Sequence, residues 1–165
     1  MDLRAAARAA HREVLVFVLG KEEYGVDILK VQEIRSYEKV TTLPSAPGYL
    51  KGIMNLRGII VPVIDLRVKF GLADAAYDAF TVVVILRIAA RVIGLVVDGV
   101  SDVIQLAPGD VKAAPQLGSV VDGTFLAGLA TQNDRMILLL DIEKFLSSGE
   151  MNLLADVADA ARSAP

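Results

Sequence analysis

The sequence has no cysteine, no tryptophan and a single histidine, His11, among its 165 residues. Without cysteine there is no disulfide framework, thiolate nucleophile or Cys-based zinc site. With one histidine, placed near the start, no Ser-His-Asp or Cys-His set can be assembled from the body of the chain. Aromatic residues make up 5% and the net charge is −3, with Lys and Arg scattered. That supplies neither the basic face nor the stacking row that nucleic acid requires, nor a polybasic membrane anchor. There is no P-loop and no G-x-G-x-x-G, hence no phosphate cradle for a nucleotide. Long apolar runs are missing as well. The longest apolar region, Thr81–Val97, is broken by Arg87 and Arg91, and its β-branched residues favour strands over a membrane helix. The Ala- and Arg-rich start, residues 1–12, lacks the apolar stretch of a secretory signal and is expected to be a flexible tail.

What is present is an aliphatic chain. Hydrophobic residues reach 54% and charged residues 22%, which excludes disorder and predicts a large interior of Val, Ile, Leu and Ala. The apolar segments are short and separated by turn residues, the pattern of small all-β barrels. Val14–Leu19 and Tyr24–Ile28 read as strands joined across Gly20-Lys21-Glu22-Glu23. Asp27–Ile34 fits a helical turn as well as a strand. Leu43–Gly48, with two prolines, reads as a loop. Leu50–Leu56 and Ile59–Leu66 read as strands across Arg57-Gly58. Pro62, which has no N–H for a ladder, predicts a bulge or a sheet edge. After a linker over Gly71–Ala79 come Phe80–Ile88 and Arg91–Val97, a hairpin turning at Ala89-Ala90, then Val100–Leu106. Ala107–Thr124 is the longest loop. Phe125–Thr131 and Arg135–Ile142 pair across Gln132-Asn133-Asp134. Ser147 and Glu150 form a capping box, and Met151, Leu154, Val157, Ala158 and Ala161 make a helical stripe.

The chain also contains itself twice. Tyr24-Gly25-Val26-Asp27 is similar to Ile93-Gly94-Leu95-Val96, an offset of 69 residues. Gly52-Ile53 and Val63-Ile64-Asp65-Leu66 are similar to Gly128-Leu129 and Leu139-Leu140-Asp141-Ile142, an offset of 76. A half this small buries too little surface to be stable alone. Two similar five-stranded barrels sharing one core are therefore expected, with the groove between them a natural binding site.

The chemistry-bearing patterns are few. Val96-Val97-Asp98-Gly99 and Val120-Val121-Asp122-Gly123 could form a carboxylate dyad, which would make an aspartic-type hydrolase. Both lack the Ser or Thr between Asp and Gly that braces such a dyad, and Asp-Gly is a common turn dipeptide. Asp65 and Asp141, at matching repeat positions, suggest a shared structural task, capping the helical turn that follows. Asp98 and Asp102 are expected to satisfy turn backbone around Gly99. Glu33, beside Ile34, and Arg57, at a hairpin tip, are exposed charges on binding-competent segments or ordinary solvated ones.

Three segments resemble the CheW family. They are Tyr24-Gly25-Val26-Asp27-Ile28-Leu29-Lys30-Val31-Gln32-Glu33-Ile34, then Lys51-Gly52-Ile53-Met54-Asn55-Leu56-Arg57-Gly58 running on to Arg67, and Val96-Val97-Asp98-Gly99-Val100-Ser101-Asp102-Val103. The resemblance covers about residues 14–160 and keeps the motifs in order. It implies an all-β fold of two intertwined SH3-like five-stranded β-barrels with a C-terminal α-helix. In that reading residues 13–162 are one domain, barrel 1 is mainly 14–70, barrel 2 mainly 80–145, and the helix 148–162. It implies a non-enzymatic chemotaxis adaptor coupling methyl-accepting chemoreceptors to the CheA histidine kinase, in the cytoplasm at inner-membrane arrays. The implied partners are the regulatory domain of CheA and the cytoplasmic tip of the receptor, with no nucleic acid, direct membrane insertion, cofactor or metal. Carried over, the receptor-binding residues are Val31, Glu33 and Ile34, with Gly94 and Val96 opposite. The kinase-coupling residues are Arg57, Leu56, Gln116 and Leu117. The family often has an aromatic where Leu117 stands. A paralogous adaptor of another receptor-kinase system would carry the same motifs.

Overall fold

A computed structural model describes residues 12–38, 40–44, 47–72, 77–88, 90–113 and 126–145. The expected C-terminal helix over 148–162, residues 1–11 of the expected tail and the residues Gln116, Leu117 and Asp122 lie outside these, while Arg12, counted in the tail, begins the first strand. Eleven strands are described: β1 Arg12–Leu19, β2 Glu22–Asp27, β3 Val31–Ser36, β4 Leu50–Leu56, β5 Ile59–Asp65, β6 Val82–Ile88, β7 Arg91–Val97, β8 Gly99–Leu106, β9 Val111–Lys112, β10 Leu126–Gln132 and β11 Arg135–Leu140. Two short helices, α1 Leu66–Lys69 and α2 Ile142–Phe145, follow β5 and β11. The ambiguous segment after β2 resolves into both of its readings, a 3-10 turn over Ile28–Lys30 capped by Asp27, then β3.

The strands form a six-stranded sheet, β8-β1-β2-β11-β10-β9, and a five-stranded sheet, β3-β6-β7-β5-β4. The sheets do not divide the chain as residues 14–70 and 80–145. Each takes its central hairpin from one half of the sequence and its flanking strands from the other. The β1–β2 hairpin lies between β8 and β11, and the β6–β7 hairpin lies between β3 and β5. A half therefore cannot close its own barrel, which is the physical content of "intertwined".

The duplication holds at single-residue register. In the parallel ladders Gly25 pairs with Leu139 and Gly94 with Val63. The bulge that sets Val31 and Glu33 against Leu86 and Ile85 recurs where Val100 and Asp102 meet Phe17 and Val16. A bulge at Leu50/Gly52 recurs at Leu126/Gly128. Pro62 sits opposite Ile53, whose N–H and C=O both bond Thr41. Ile53 therefore turns its polar groups away from β5, and the β5–β7 ladder begins only at Val63. Pro62 thus occupies a position that asks for no N–H, and the bulge lies on its neighbour β4.

Alternating side chains sort into three apolar clusters. Val14, Val16, Ile104, Leu106, Ala130, Ile137 and Leu139 fill the six-stranded barrel. Leu56, Val61, Val63, Val83, Ile85 and Val96 fill the five-stranded one. The largest cluster draws on both sheets, with Leu15, Phe17 and Tyr24 against Leu86, Ile93 and Leu95. Most of the burial that holds the barrels together is therefore a filled layer between them.

Candidate functional site

The β4–β5 hairpin turns on two residues with left-handed backbone, Arg57 at φ 50° and Gly58 at φ 88°. That is the two-residue turn whose twist matches its strands. The Gly58 N–H donates to Asn55 Oδ1 at 2.7 Å. From this tip Arg57 Nη2 reaches Glu33 Oε1 on β3 at 2.5 Å, and Arg35 stands 3.8 Å from the other carboxylate oxygen. Strands β3 and β4 are the two edges of their sheet, so this ion pair bridges the open side of the barrel. The hydrogen bond from Arg57 holds the Glu33 carboxyl below its ordinary range, and Glu33 raises Arg57 in turn.

The sequence-derived residues separate into three places. Val31 packs on the layer between the barrels. Ile34 pairs with Val84 of that layer and is exposed at its rim. Glu33 pairs with Ile85, which faces the barrel interior, and meets Arg57 at the barrel mouth. Gly94 and Val96 do not line a groove. Val96 is fully buried inside the five-stranded barrel, and a Cβ on Gly94 would meet Val83 Cγ1 at 2.8 Å in the same interior. Leu56 is also buried there. Strand alternation turns these three positions inward, so they present no side chain on the barrel surface. A depression of about 160 Å³ does exist, lined among others by Asp27, Lys30, Asp141 and Glu143, and none of the named residues borders it.

Asp65 and Asp141 cap the helical turns that follow them, accepting from the Arg67 and Lys144 N–H groups. Asp98 and Asp102 do more than satisfy local turns. Asp98 accepts from the Gly20 N–H at 2.6 Å and from Arg67 Nη1 at 2.8 Å. Asp102 takes both terminal nitrogens of Arg135, at 2.9 and 2.8 Å. An Asp98 so engaged is a poor half of a hydrolytic dyad. Among the described residues no cluster of three or more His, Cys, Asp or Glu could hold a metal, and no helix is long and apolar enough to cross a membrane.

Sequence reasoning missed the buried network around Arg67, which holds Asp65 and Asp98 while Tyr77 donates to Asp65 at 2.8 Å. The repeat gave no hint of it. The position matching Arg67 is Glu143, of opposite charge, which pairs at the surface with Lys30. Also missed was the counterpart of the Glu33–Arg57 pair. Asp102 matches Glu33 in the bulged strand, and Arg135 of the β10–β11 hairpin binds it across the six-stranded barrel.

Residues 13–150 match the family model described as "CheW-like domain". The chain is 50% identical over 155 residues to the chemotaxis protein CheW of Klebsiella aerogenes, covering 94% of this chain and 93% of that protein. It is 34% identical over 139 residues to the probable chemotaxis protein CheW of Rhizobium etli, covering 84% and 90%. Among solved structures, the scaffolding protein TtCheW from Thermoanaerobacter tengcongensis matches with a TM-score of 0.77 at 33% identity, covering 84% of this chain and 94% of that one.

Proposed function

Because the chain belongs to the CheW-like family, a family of chemotaxis scaffolds and not of enzymes, we propose that it couples chemoreceptors to the CheA histidine kinase. In this reading the cytoplasmic tip of the receptor, a helical hairpin, docks at the rim formed by Val31 and Ile34, with Glu33 setting its orientation. Apolar anchors supply affinity and rim charges supply register and specificity. Arg57 joins that contact to the kinase side, and residues 13–162 are the working unit. Gly94, Val96 and Leu56 support the face from inside the barrel by packing.

The observation that carries the proposal is the Glu33–Arg57 ion pair. It joins the first two family-like segments at one exposed point, beside the exposed Ile34. The kinase-facing role of Gln116 and Leu117 rests on the family resemblance alone.

The test is a pull-down of the purified chain with its cognate CheA and a receptor signalling fragment, followed by kinase activity with and without the chain. A ternary complex with raised kinase activity is expected. Binding to neither partner would overturn the assignment and redirect the search to paralogous receptor-kinase systems.

A further inference from the structure

The two hairpins that end each repeat are duplicates with different turn residues. In the β10–β11 hairpin the two left-handed positions are Asn133 at φ 51° and Asp134 at φ 63°. Both residue types tolerate that backbone, because a short polar side chain can bond locally. In the β4–β5 hairpin the first left-handed position holds Arg57 at φ 50°. An arginine gains nothing from a left-handed backbone, so a long side chain kept there points to a use for that side chain.

The same hairpin carries a brace. Asn55 Oδ1 accepts the Gly58 N–H at 2.7 Å and ties the second turn residue back to the strand. The position matching Asn55 in the other hairpin is Thr131. At the far end of the side chain, the Arg57 guanidinium meets Glu33 while remaining largely exposed, at 65% against 25% for Glu33. Three fixed points therefore define where the guanidinium stands: the left-handed turn, the Asn55 brace and the Glu33 carboxylate.

We infer that Asn55 is a positioning residue, which holds the turn so that Arg57 presents its guanidinium in one orientation over Glu33. Asn55 itself touches no partner. Its effect on coupling passes entirely through Arg57, and the inference rests on the reading of the Glu33–Arg57 face as partner-facing. Loss of the brace frees the turn to leave its left-handed conformation, and the guanidinium then samples solvent instead of Glu33.

The test compares Asn55→Ala, Asn55→Asp, Arg57→Ala and the Asn55→Ala/Arg57→Ala double variant in the full chain. Two quantities are read: the carboxyl titration of Glu33 by NMR, and capture of the chain by CheA with the receptor fragment. In Asn55→Ala the Glu33 titration should move up toward the ordinary glutamate range and capture should weaken several-fold, as in Arg57→Ala. The double variant should be no weaker than Arg57→Ala alone. Asn55→Asp keeps an oxygen that accepts the Gly58 N–H and should restore both readings. An unmoved Glu33 titration in Asn55→Ala, or a double variant whose loss is the product of the two single losses, would overturn the inference. If the titration moves while neither Asn55→Ala nor Arg57→Ala affects capture, the positioning role stands and the partner-facing reading falls.

Discussion

The guanidinium of Arg67 holds the carboxylate of Asp65 through two bonds, Nε to Oδ1 at 3.0 Å and Nη2 to Oδ2 at 3.1 Å, with both side chains buried. Its remaining terminal nitrogen binds Asp98 at the end of β7, and Asp98 in turn accepts from Gly20 in the β1–β2 turn. The pair thus ties the end of β5 to elements of both barrels. Asp65→Asn would strip the buried Arg67 of its bidentate carboxylate partner. A loss of about 3 kcal/mol in unfolding free energy is expected, because a buried charge stripped of its partner is costly. Urea denaturation measures it, and a loss well under 1 kcal/mol would show that the other contacts of Arg67 suffice to hold it.

The same network sets a pH dependence. Burial alone would raise Asp65, but the hydrogen bonds from Arg67 and Tyr77 outweigh it and hold the carboxyl below its ordinary value. A depressed carboxyl contributes stability that is present above its unfolded pKa, roughly 3.9, and is lost as pH falls through the folded value. Asp102, lowered by the hydrogen bond from Arg135, acts in the same direction. Tyr77 is raised by burial and by its bond to Asp65. Its contribution is present below roughly pH 10 and is lost as pH rises through the folded value. Denaturation midpoints recorded across pH should fall in acid for the native chain and fall less in Asp65→Asn. Parallel acid limbs would refute the assignment.

Gly94→Ala separates a packing role from a contact role. The new Cβ would stand 2.8 Å from Val83 Cγ1 and 3.4 Å from Ile85 Cδ1, inside a filled barrel. Overpacking of this kind destabilises by about 1–3 kcal/mol. Well below the melting temperature, the folded variant should bind partners with native affinity. Weak binding with native stability would return Gly94 to the binding face.

Arg57 and Arg135 make matching ion pairs but should fail differently. Arg135 is partly buried between Asp102 and Glu23, so Arg135→Ala should lower stability by about 1 kcal/mol and leave coupling intact. Arg57→Gly removes a charge and also relieves a left-handed backbone, so the melting curve should hold while kinase activation is lost. Similar losses of activation in both variants would reduce the two pairs to barrel clamps.

Strand positions, turns and the duplication were legible because a strand is local. Val14–Leu19 shows a short β-branched apolar run closed by turn residues, and Arg57-Gly58 shows its turn, without reference to the rest of the chain. The two repeat offsets, 69 and 76 residues, reappear as matching registers, Gly25 with Leu139 and Gly94 with Val63. Which strand pairs with which was not local. The β1–β2 and β6–β7 hairpins carry the same pattern, with Gly25 and Gly94 at matching positions, so the pattern alone does not say which sheet each joins. The exchange places each between strands of the opposite half, where its second face joins the layer shared by both barrels. The sequence by itself determined the elements, their duplication and the family. Only the tertiary structure decided that Gly94, Val96 and Leu56 turn inward, that Arg67 is buried among carboxylates, and that Glu33 meets Arg57. Each of those depends on the far side of a barrel, and a side chain's environment is set by partners the local sequence does not contain.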